Sequence, residues 1–166
     1  MEDTRELKQL EKITGVSEKL LNAAIVNHYN AYGVNLAASV NGKIYILNGY
    51  YDEIVKEYEN CSNRIVDINT LLETKSSHIP FKSGEYVYFL FDGNALVYVG
   101  QSVNLAKRIG QHLDCKVFDS VAYVEAEPGY LGITEDVNIS FHRPKYNIGI
   151  SSNEAVFAFV IKRLFA

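Results

Sequence analysis

The stretch from Ser83 to His112 reads S-G-E-Y-V-Y-F-L-F-D-G-N-A-L-V-Y-V-G-Q-S-V-N-L-A-K-R-I-G-Q-H, and the fold of the C-terminal half depends on it. Two apolar and aromatic runs, Tyr86–Phe91 and Ala95–Val99, stand on either side of Asp92-Gly93-Asn94. Runs of this length around a glycine-containing turn predict a β-hairpin. Gly100 ends the second apolar run.

A helix is predicted directly after the hairpin. Asn104 can cap its N-terminus, because an Asn side chain accepts from the first backbone N–H groups of a helix. Arg108 and His112 are four residues apart and therefore share a face of this helix. Its apolar stripe is made of residues at the same spacing: Leu105, Ile109 and Leu113.

The hairpin and helix resemble the GIY-YIG nuclease domain, a family named for two tripeptides on a hairpin. Tyr86-Val87-Tyr88 stands at the position of the first tripeptide, and Tyr98-Val99-Gly100 at that of the second. Asn104-Leu105 and Arg108 follow at the family's spacing. Further on, a segment that matches the family's excision-repair branch contains Glu135 and, twelve residues later, Asn147. One residue departs from the pattern: Tyr86 replaces the glycine of the first tripeptide.

The resemblance covers residues 83–149 and implies hydrolysis of a DNA phosphodiester with one divalent metal ion, Mg²⁺ or Mn²⁺. In this interpretation Tyr88 is the base, assisted by Tyr98 and His112, and Arg108 stabilises charge on the transferring phosphoryl group. Glu135 is the metal ligand. Asn147 and Gly100 support the structure, and DNA phosphates are contacted by three cations: Lys107, Arg143 and Lys145.

A single active site requires both tyrosines on one face of the hairpin. A three-residue loop at Asp92-Gly93-Asn94 pairs Phe91 with Ala95, and hence Tyr88 with Tyr98, and directly opposed residues share a face. A two-residue loop would shift the register and separate the tyrosines. We therefore expect the three-residue loop.

The charge of the chain weakens the nuclease interpretation. Its formal net charge is −4, and residues 81–147 contain six Lys and Arg against eight Asp and Glu. Proteins that bind nucleic acid usually have a basic surface, so long-range attraction of DNA should be weak here. A second hypothesis is therefore a catalytically silent GIY-YIG-like module that binds nucleic acid or protein. The retained Tyr88, Arg108 and Glu135 favour the enzyme.

The whole chain is predicted to be of the α/β (α+β) class, with three parts. Residues 1–80 form a small, mostly helical domain with a β-hairpin at Asn41-Gly42. Residues 81–150 form the GIY-YIG-like domain, in which a hairpin and a third strand at Ser120–Glu125 are flanked by helices, one of them at residues 131–142 with Glu135. Residues 151–166 form a C-terminal helix that packs on this domain or on a partner.

The beginning of the first domain has the outline of a helix-turn-helix. Apolar residues recur at helical spacing before Gly15, and Ser17 can cap a second helix. Two interpretations remain open: the segment contacts DNA, with the Asn41-Gly42 hairpin as a wing, or its helices simply pack.

Two distant cysteines, Cys61 and Cys115, and a charged N-terminus without an apolar signal core predict a cytoplasmic protein that does not enter membranes. The sequence does not distinguish a restriction enzyme from a homing, repair or mobile-element nuclease. Double-strand cleavage by one active site would require a homodimer or two successive cuts.

Overall fold

The computed structural model describes residues 5–47, 49–147 and 153–166. The fold is α+β, as predicted, and the described residues form seven helices and two three-stranded antiparallel sheets. The chain folds as two compact units, residues 1–63 together with 152–166, and residues 64–151. In chain order the elements are β1 (Arg5–Glu6), α1 (Leu7–Thr14), α2 (Glu18–Tyr32), β2 (Ala37–Val40), β3 (Lys43–Ile46), α3 (Tyr50–Ser62), α4 (Ile68–Thr74), β4 (Tyr86–Asp92), β5 (Ala95–Ser102), α5 (Leu105–His112), β6 (Ser120–Glu125), α6 (Leu131–His142) and α7 (Asn153–Phe165).

The first unit contains the predicted helices and hairpin. Its sheet has the strand order β1-β3-β2, and the turn between β2 and β3 is Asn41-Gly42. Both turn residues have positive φ, 51° and 78°, which is the conformation that a two-residue hairpin turn requires and that Asn-Gly favours.

The C-terminal helix belongs to this first unit. Residues 151–166 were expected to pack on the GIY-YIG-like domain or on a partner, but α7 packs against α2 and α3. The reason is its apolar face, which is fully buried at four positions: Val156, Phe157, Val160 and Ile161. In the described part of the chain, neither α7 nor any other helix is long and apolar enough to cross a membrane.

The second unit is built on the sheet β5-β4-β6, in which the central strand β4 is buried from Tyr86 to Phe91. Alternate residues of β4 face two apolar clusters. Tyr86, Tyr88 and Leu90 pack with α5, and Val87, Phe89 and Phe91 with α4 and α6. A strand between two packed layers reads as a continuous apolar run, which explains the composition of β4.

The expected loop of three residues at the hairpin is wrong. Asp92 pairs with Ala95, so the loop is the two-residue Gly93-Asn94. A β-bulge then shifts the register: Phe91 pairs with Leu96 but Leu90 pairs with Tyr98, which leaves Val97 as the extra residue of β5. Tyr88 is consequently opposite Gly100, not Tyr98, and the extra residue returns Tyr98 to the face occupied by Tyr88.

The expected domain boundary at residue 80 also differs from the structure, in which the second unit begins at Arg64. Residues 64–80 are part of this unit because α4 packs on β6, with Leu71 buried in the cluster of Phe89 and Phe91. Ser76 also pairs with Val121 of β6 through two backbone hydrogen bonds of 2.8 Å.

Candidate active site

The residues predicted to carry the chemistry meet on the face of the second unit's sheet that packs against α5. The hydroxyl of Tyr88 lies 2.7 Å from Nε2 of His112, and both side chains are buried. Tyr88 comes from the central strand β4 and His112 from the last position of α5. Asn104 fixes the start of this helix, as predicted, because its side chain accepts from the Lys107 N–H at 3.1 Å.

Tyr98 completes an aromatic cluster with this pair. The centroid of its ring lies 4.7 Å from that of His112 and 6.0 Å from that of Tyr88. Tyr98 is half-buried, whereas Tyr88 is completely buried. The two tyrosines therefore share one face in spite of the unexpected register, because of the bulge at Val97.

Gly100 is opposite Tyr88 on the neighbouring strand, and the phenol of Tyr88 lies across it. A Cβ atom at this position would be 2.5 Å from Cζ of Tyr88 and 2.8 Å from Cε1 of Tyr98. Such distances exclude any side chain without movement of the tyrosines, which explains why the second tripeptide ends in glycine.

Tyr86, which departs from the family's pattern, is accommodated within the strand. It pairs with Ser102 on one side and Glu125 on the other, and its ring packs edge-on against Tyr123 at 5.7 Å between centroids. The absence of glycine at this position therefore does not interrupt β4.

Arg108 and Glu135 belong to the same neighbourhood. Nη1 of Arg108 donates to the Gln111 side chain at 3.0 Å. The interaction with Tyr88 raises the pKa of Arg108. Glu135, on α6, is half-buried. Burial and the charge of the adjacent Asp136 raise its pKa, and the charge of Arg108 and the backbone of Gln101 oppose this rise. The carboxylate thus lies within electrostatic range of Arg108.

The electrostatics of the Tyr88–His112 pair favour neutral forms of both side chains. Burial, with smaller effects from Lys116 and Arg108, lowers the pKa of His112 to about 4. Burial and the adjacent Tyr98 raise the pKa of Tyr88 above the ordinary tyrosine value. At neutral pH the phenol therefore retains its proton and the imidazole is neutral, so the Tyr88 hydroxyl donates to Nε2 in the tautomer that carries its proton on Nδ1.

Asn147 is a structural residue in this geometry. Its Oδ1 accepts from the Val99 N–H at 2.9 Å, and its Nδ2 donates to the Val99 carbonyl at 3.0 Å. The backbone N–H of the preceding Tyr146 donates to the Val97 carbonyl. These bonds fix the outer edge of β5 at the bulge and beside Tyr98.

The three cations expected to contact DNA are located on two parts of the second unit. Lys107 is exposed on α5. Lys145 is exposed beyond α6, and its Nζ lies 4.9 Å from the centroid of the Tyr146 ring. Arg143 ends α6 with a positive φ of 44° and is only half-exposed, so it is less available for a phosphate than the two lysines.

Lys116 was not identified from the sequence, although it borders the site. Its Nζ lies 4.7 Å from the centroid of the Tyr98 ring, a cation–π distance, and its charge contributes to the low pKa of His112. The backbone N–H of Lys116 donates to the His112 carbonyl at 2.9 Å. The only sequence signal was that Lys116 follows His112 by four residues. This spacing places two residues on one face only within a helix, and Lys116 lies beyond the end of α5.

The donor set for a metal ion is small. Among the described residues, no three His, Cys, Asp or Glu side chains come together as a metal-binding group. Glu135 can still supply the one protein carboxylate that Mg²⁺ often uses, with waters and substrate phosphate as the other ligands. The single carboxylate therefore fits a single hydrated ion of this type.

No family model matches this chain, and neither a curated protein nor a solved structure matches it.

Proposed function

We propose that the chain is a metal-dependent DNA endonuclease with an active site of the GIY-YIG type. The observation that carries the proposal is the 2.7 Å hydrogen bond between the Tyr88 hydroxyl and Nε2 of His112, beside Tyr98 and Arg108. A buried phenol with a neutral imidazole as its proton acceptor can act as a base without first becoming charged.

In the proposed reaction a water molecule attacks phosphorus in line with the 3′ oxygen. The water transfers a proton to the Tyr88 oxygen, which substrate binding would first have to expose because Tyr88 is completely buried. At the same time the Tyr88 proton moves to Nε2 of His112, which becomes an imidazolium. The new P–O bond forms, the bond to the 3′ oxygen breaks, and this oxygen takes a proton from solvent. The products are a 5′-phosphate and a 3′-hydroxyl.

Arg108 and Glu135 support this step electrostatically. The guanidinium of Arg108 would stabilise negative charge on the transferring phosphoryl group, because it presents several N–H donors in a fixed plane. Glu135 would hold Mg²⁺ or Mn²⁺, which when bound supplies positive charge for the leaving oxygen. The phosphate would also raise the pKa of His112, since it offsets the charges of Lys116 and Arg108.

The second candidate function is a catalytically silent module that uses the same surface to bind nucleic acid or protein. The net charge of −4 favours it, because an acidic protein attracts DNA weakly. Intact proton-transfer partners favour the enzyme, because binding alone does not require a 2.7 Å bond between a buried tyrosine and histidine. We place the enzyme in the cytoplasm, where both cysteines would stay as the thiols seen in the structure. Double-strand cuts would require a dimer or two events.

The test is nicking of a supercoiled plasmid with magnesium, by the wild-type protein and by Tyr88→Phe. This change removes one hydroxyl and should slow nicking about 10²- to 10⁴-fold, the usual contribution of a positioned base. Because the change leaves Nε2 of His112 without its hydrogen-bond partner, circular dichroism must show that the variant is folded at the assay temperature.

Tyr123→Phe is the matched control. Tyr123 is paired with Tyr88 on the neighbouring strand β6 and shares its face, but packs against Tyr86. The control should nick at close to the wild-type rate. A Tyr88→Phe protein as active as Tyr123→Phe would show that the Tyr88 hydroxyl is not the base.

A further inference from the structure

The first unit has a helix-turn-helix with an adjoining hairpin. Helix α1 ends at Thr14, Gly15 turns the chain with φ 70°, and Ser17 caps α2 by accepting from the Leu20 N–H. Glu11 of α1 fixes the turn from the other side, because its carboxylate accepts from the Glu18 N–H at 3.0 Å. The β2–β3 hairpin follows α2 in the chain, and β3 lies between β1 and β2 in the sheet.

A groove of 360 Å³ lies between α2 and the hairpin. Residues of α2, including Asn22, Val26 and Tyr29, line one side, and Ala38 and Ser39 of β2 line the other. The second helix and the hairpin therefore form a joint surface.

The face of α2 opposite its core is exposed. Leu21, Ala24, Ile25 and His28 are buried, which fixes the orientation of the helix. Lys19, Val26 and Asn30 are exposed, and together with the half-buried Ala23 they follow the spacing i, i+4, i+7, i+11 of a single helix face. We call this face the α2 crest: Lys19, Ala23, Val26 and Asn30.

Charge is distributed unevenly in this unit. Residues 1–47 contain five Lys and Arg and five Asp and Glu, a formal balance of zero, although the whole chain is at −4. Three of these cations are exposed on α1 and α2: Lys8, Lys12 and Lys19. Two of the glutamates have partners, since Glu6 pairs with Lys43 and Glu11 accepts from the Glu18 N–H. Four further acidic residues of the unit lie on α3: Asp52, Glu53, Glu57 and Glu59.

We propose that the α2 crest and the β2–β3 hairpin form a binding surface for duplex DNA. In helix-turn-helix proteins the second helix enters the major groove and the first crosses the backbone. Lys8 and Lys12 of α1, both exposed, have the charge and spacing for phosphates. The carboxamides of Asn22 and Asn30 and the methyl groups of Ala23 and Val26 are the groups that read adenine and thymine edges.

This inference rests on the proposed function and adds that the substrate is duplex DNA bound by the first unit. Its test measures DNA binding and does not require cleavage. Binding of a labelled duplex of about two helical turns is followed by fluorescence anisotropy. The protein is the full chain with Glu135→Gln, in chelator, over a range of salt concentrations. The double variant Lys8→Gln/Lys19→Gln should lower affinity about tenfold and flatten the salt dependence by about two phosphate contacts.

The matched control is Lys56→Gln/Lys162→Gln, which removes the same charge from exposed positions on α3 and α7 of the same unit. It should leave both quantities near their starting values. An equal loss of DNA affinity in the two double variants would overturn the proposal, because binding would then depend on the net charge of the protein and not on this surface. Absence of duplex binding would also overturn it. Self-association of the protein that Val26→Glu abolishes would overturn it too, because the α2 crest would then be an interface between two copies of the chain.

The outcome is separable from that of the nuclease. Duplex binding that depends on Lys8 and Lys19, without any nicking, would support the binding surface and contradict the proposed enzyme. Nicking with magnesium, together with equal duplex binding by the two double variants, would support the enzyme and contradict the binding surface.

Discussion

At the scale of single residues, the proton between Tyr88 and His112 is the central feature. A phenol of raised pKa and an imidazole whose pKa is lowered to about 4 share one hydrogen bond of 2.7 Å. Each is held in its neutral form mainly by burial. The sequence predicted both residues and their common site, but not the direct bond, because the distance depends on how α5 packs on β4.

Lys116 provides a test of these electrostatics. Its charge is one of the causes that lower the pKa of His112, so Lys116→Gln should raise this pKa toward the usual value near 6.5. The imidazole then becomes charged at a higher pH on acidification, and nicking should weaken earlier as the pH falls below neutral. Histidine NMR titration measures the shift, with His112→Gln to assign the resonance.

Lys107→Gln is the control for this titration. It removes the same charge from an exposed position on α5. Because Lys107 is not among the groups that lower the pKa of His112, the resonance should titrate as in the wild type. An unchanged pKa in Lys116→Gln would contradict the electrostatic role given to Lys116.

At the scale of elements, the hairpin shows what the sequence could and could not predict. The two strands and a glycine-containing turn were expected from the apolar runs. The shared face of Tyr88 and Tyr98 was expected as well, but from a direct pairing of the two residues that the structure does not have. The register was not, since a bulge adds a residue without a sequence signal of its own. Val97 compensates for the short Gly93-Asn94 loop, so a wrong loop length gave the correct face.

Gly100→Ala tests the close packing between these strands. A Cβ atom would meet the buried Tyr88 ring at 2.5 Å, so either the ring or the strand must move. We expect a loss of about 1–3 kcal/mol in the free energy of unfolding, as for other overpacked sites, together with a strong loss of nicking. Urea denaturation measures the first quantity.

Gly110→Ala is the corresponding control on α5. A Cβ atom there meets nothing within 4 Å. Because alanine favours a helix over glycine by up to about 1 kcal/mol, this variant should be as stable as the wild type or more so. A Gly100→Ala protein of unchanged stability would show that Tyr88 can vacate its position over the strand.

At the scale of the whole molecule, the α+β class and most elements were predictable, whereas the division of the chain was not. Local periodicity and capping residues define helices such as α6, found at the expected residues 131–142. Long-range packing decides the assignment of α4 and α7, and neither helix carries a signal for its partner. The formal net charge of −4 is also distributed unevenly along the chain, because residues 1–47 balance to zero whereas residues 48–63 carry −3.

The most direct test of the proposed enzyme compares cleavage and DNA binding in one preparation of Glu135→Gln. This change keeps the size of the side chain but removes the charge that would hold the metal. Nicking with magnesium should fall at least about 10²-fold, as when other electrostatic groups of active sites are removed. Binding in chelator should persist, because phosphate contacts from lysines do not require the carboxylate.

Glu73→Gln, at an exposed position of α4 in the same unit, is the control and should nick near the wild-type rate. We predict wild-type nicking that depends on magnesium, an inactive Glu135→Gln protein that still binds DNA, and an active Glu73→Gln protein. A Glu135→Gln protein that nicks as fast as Glu73→Gln would contradict the metal site. A folded wild-type protein that neither nicks nor binds any form of DNA would contradict the nuclease itself.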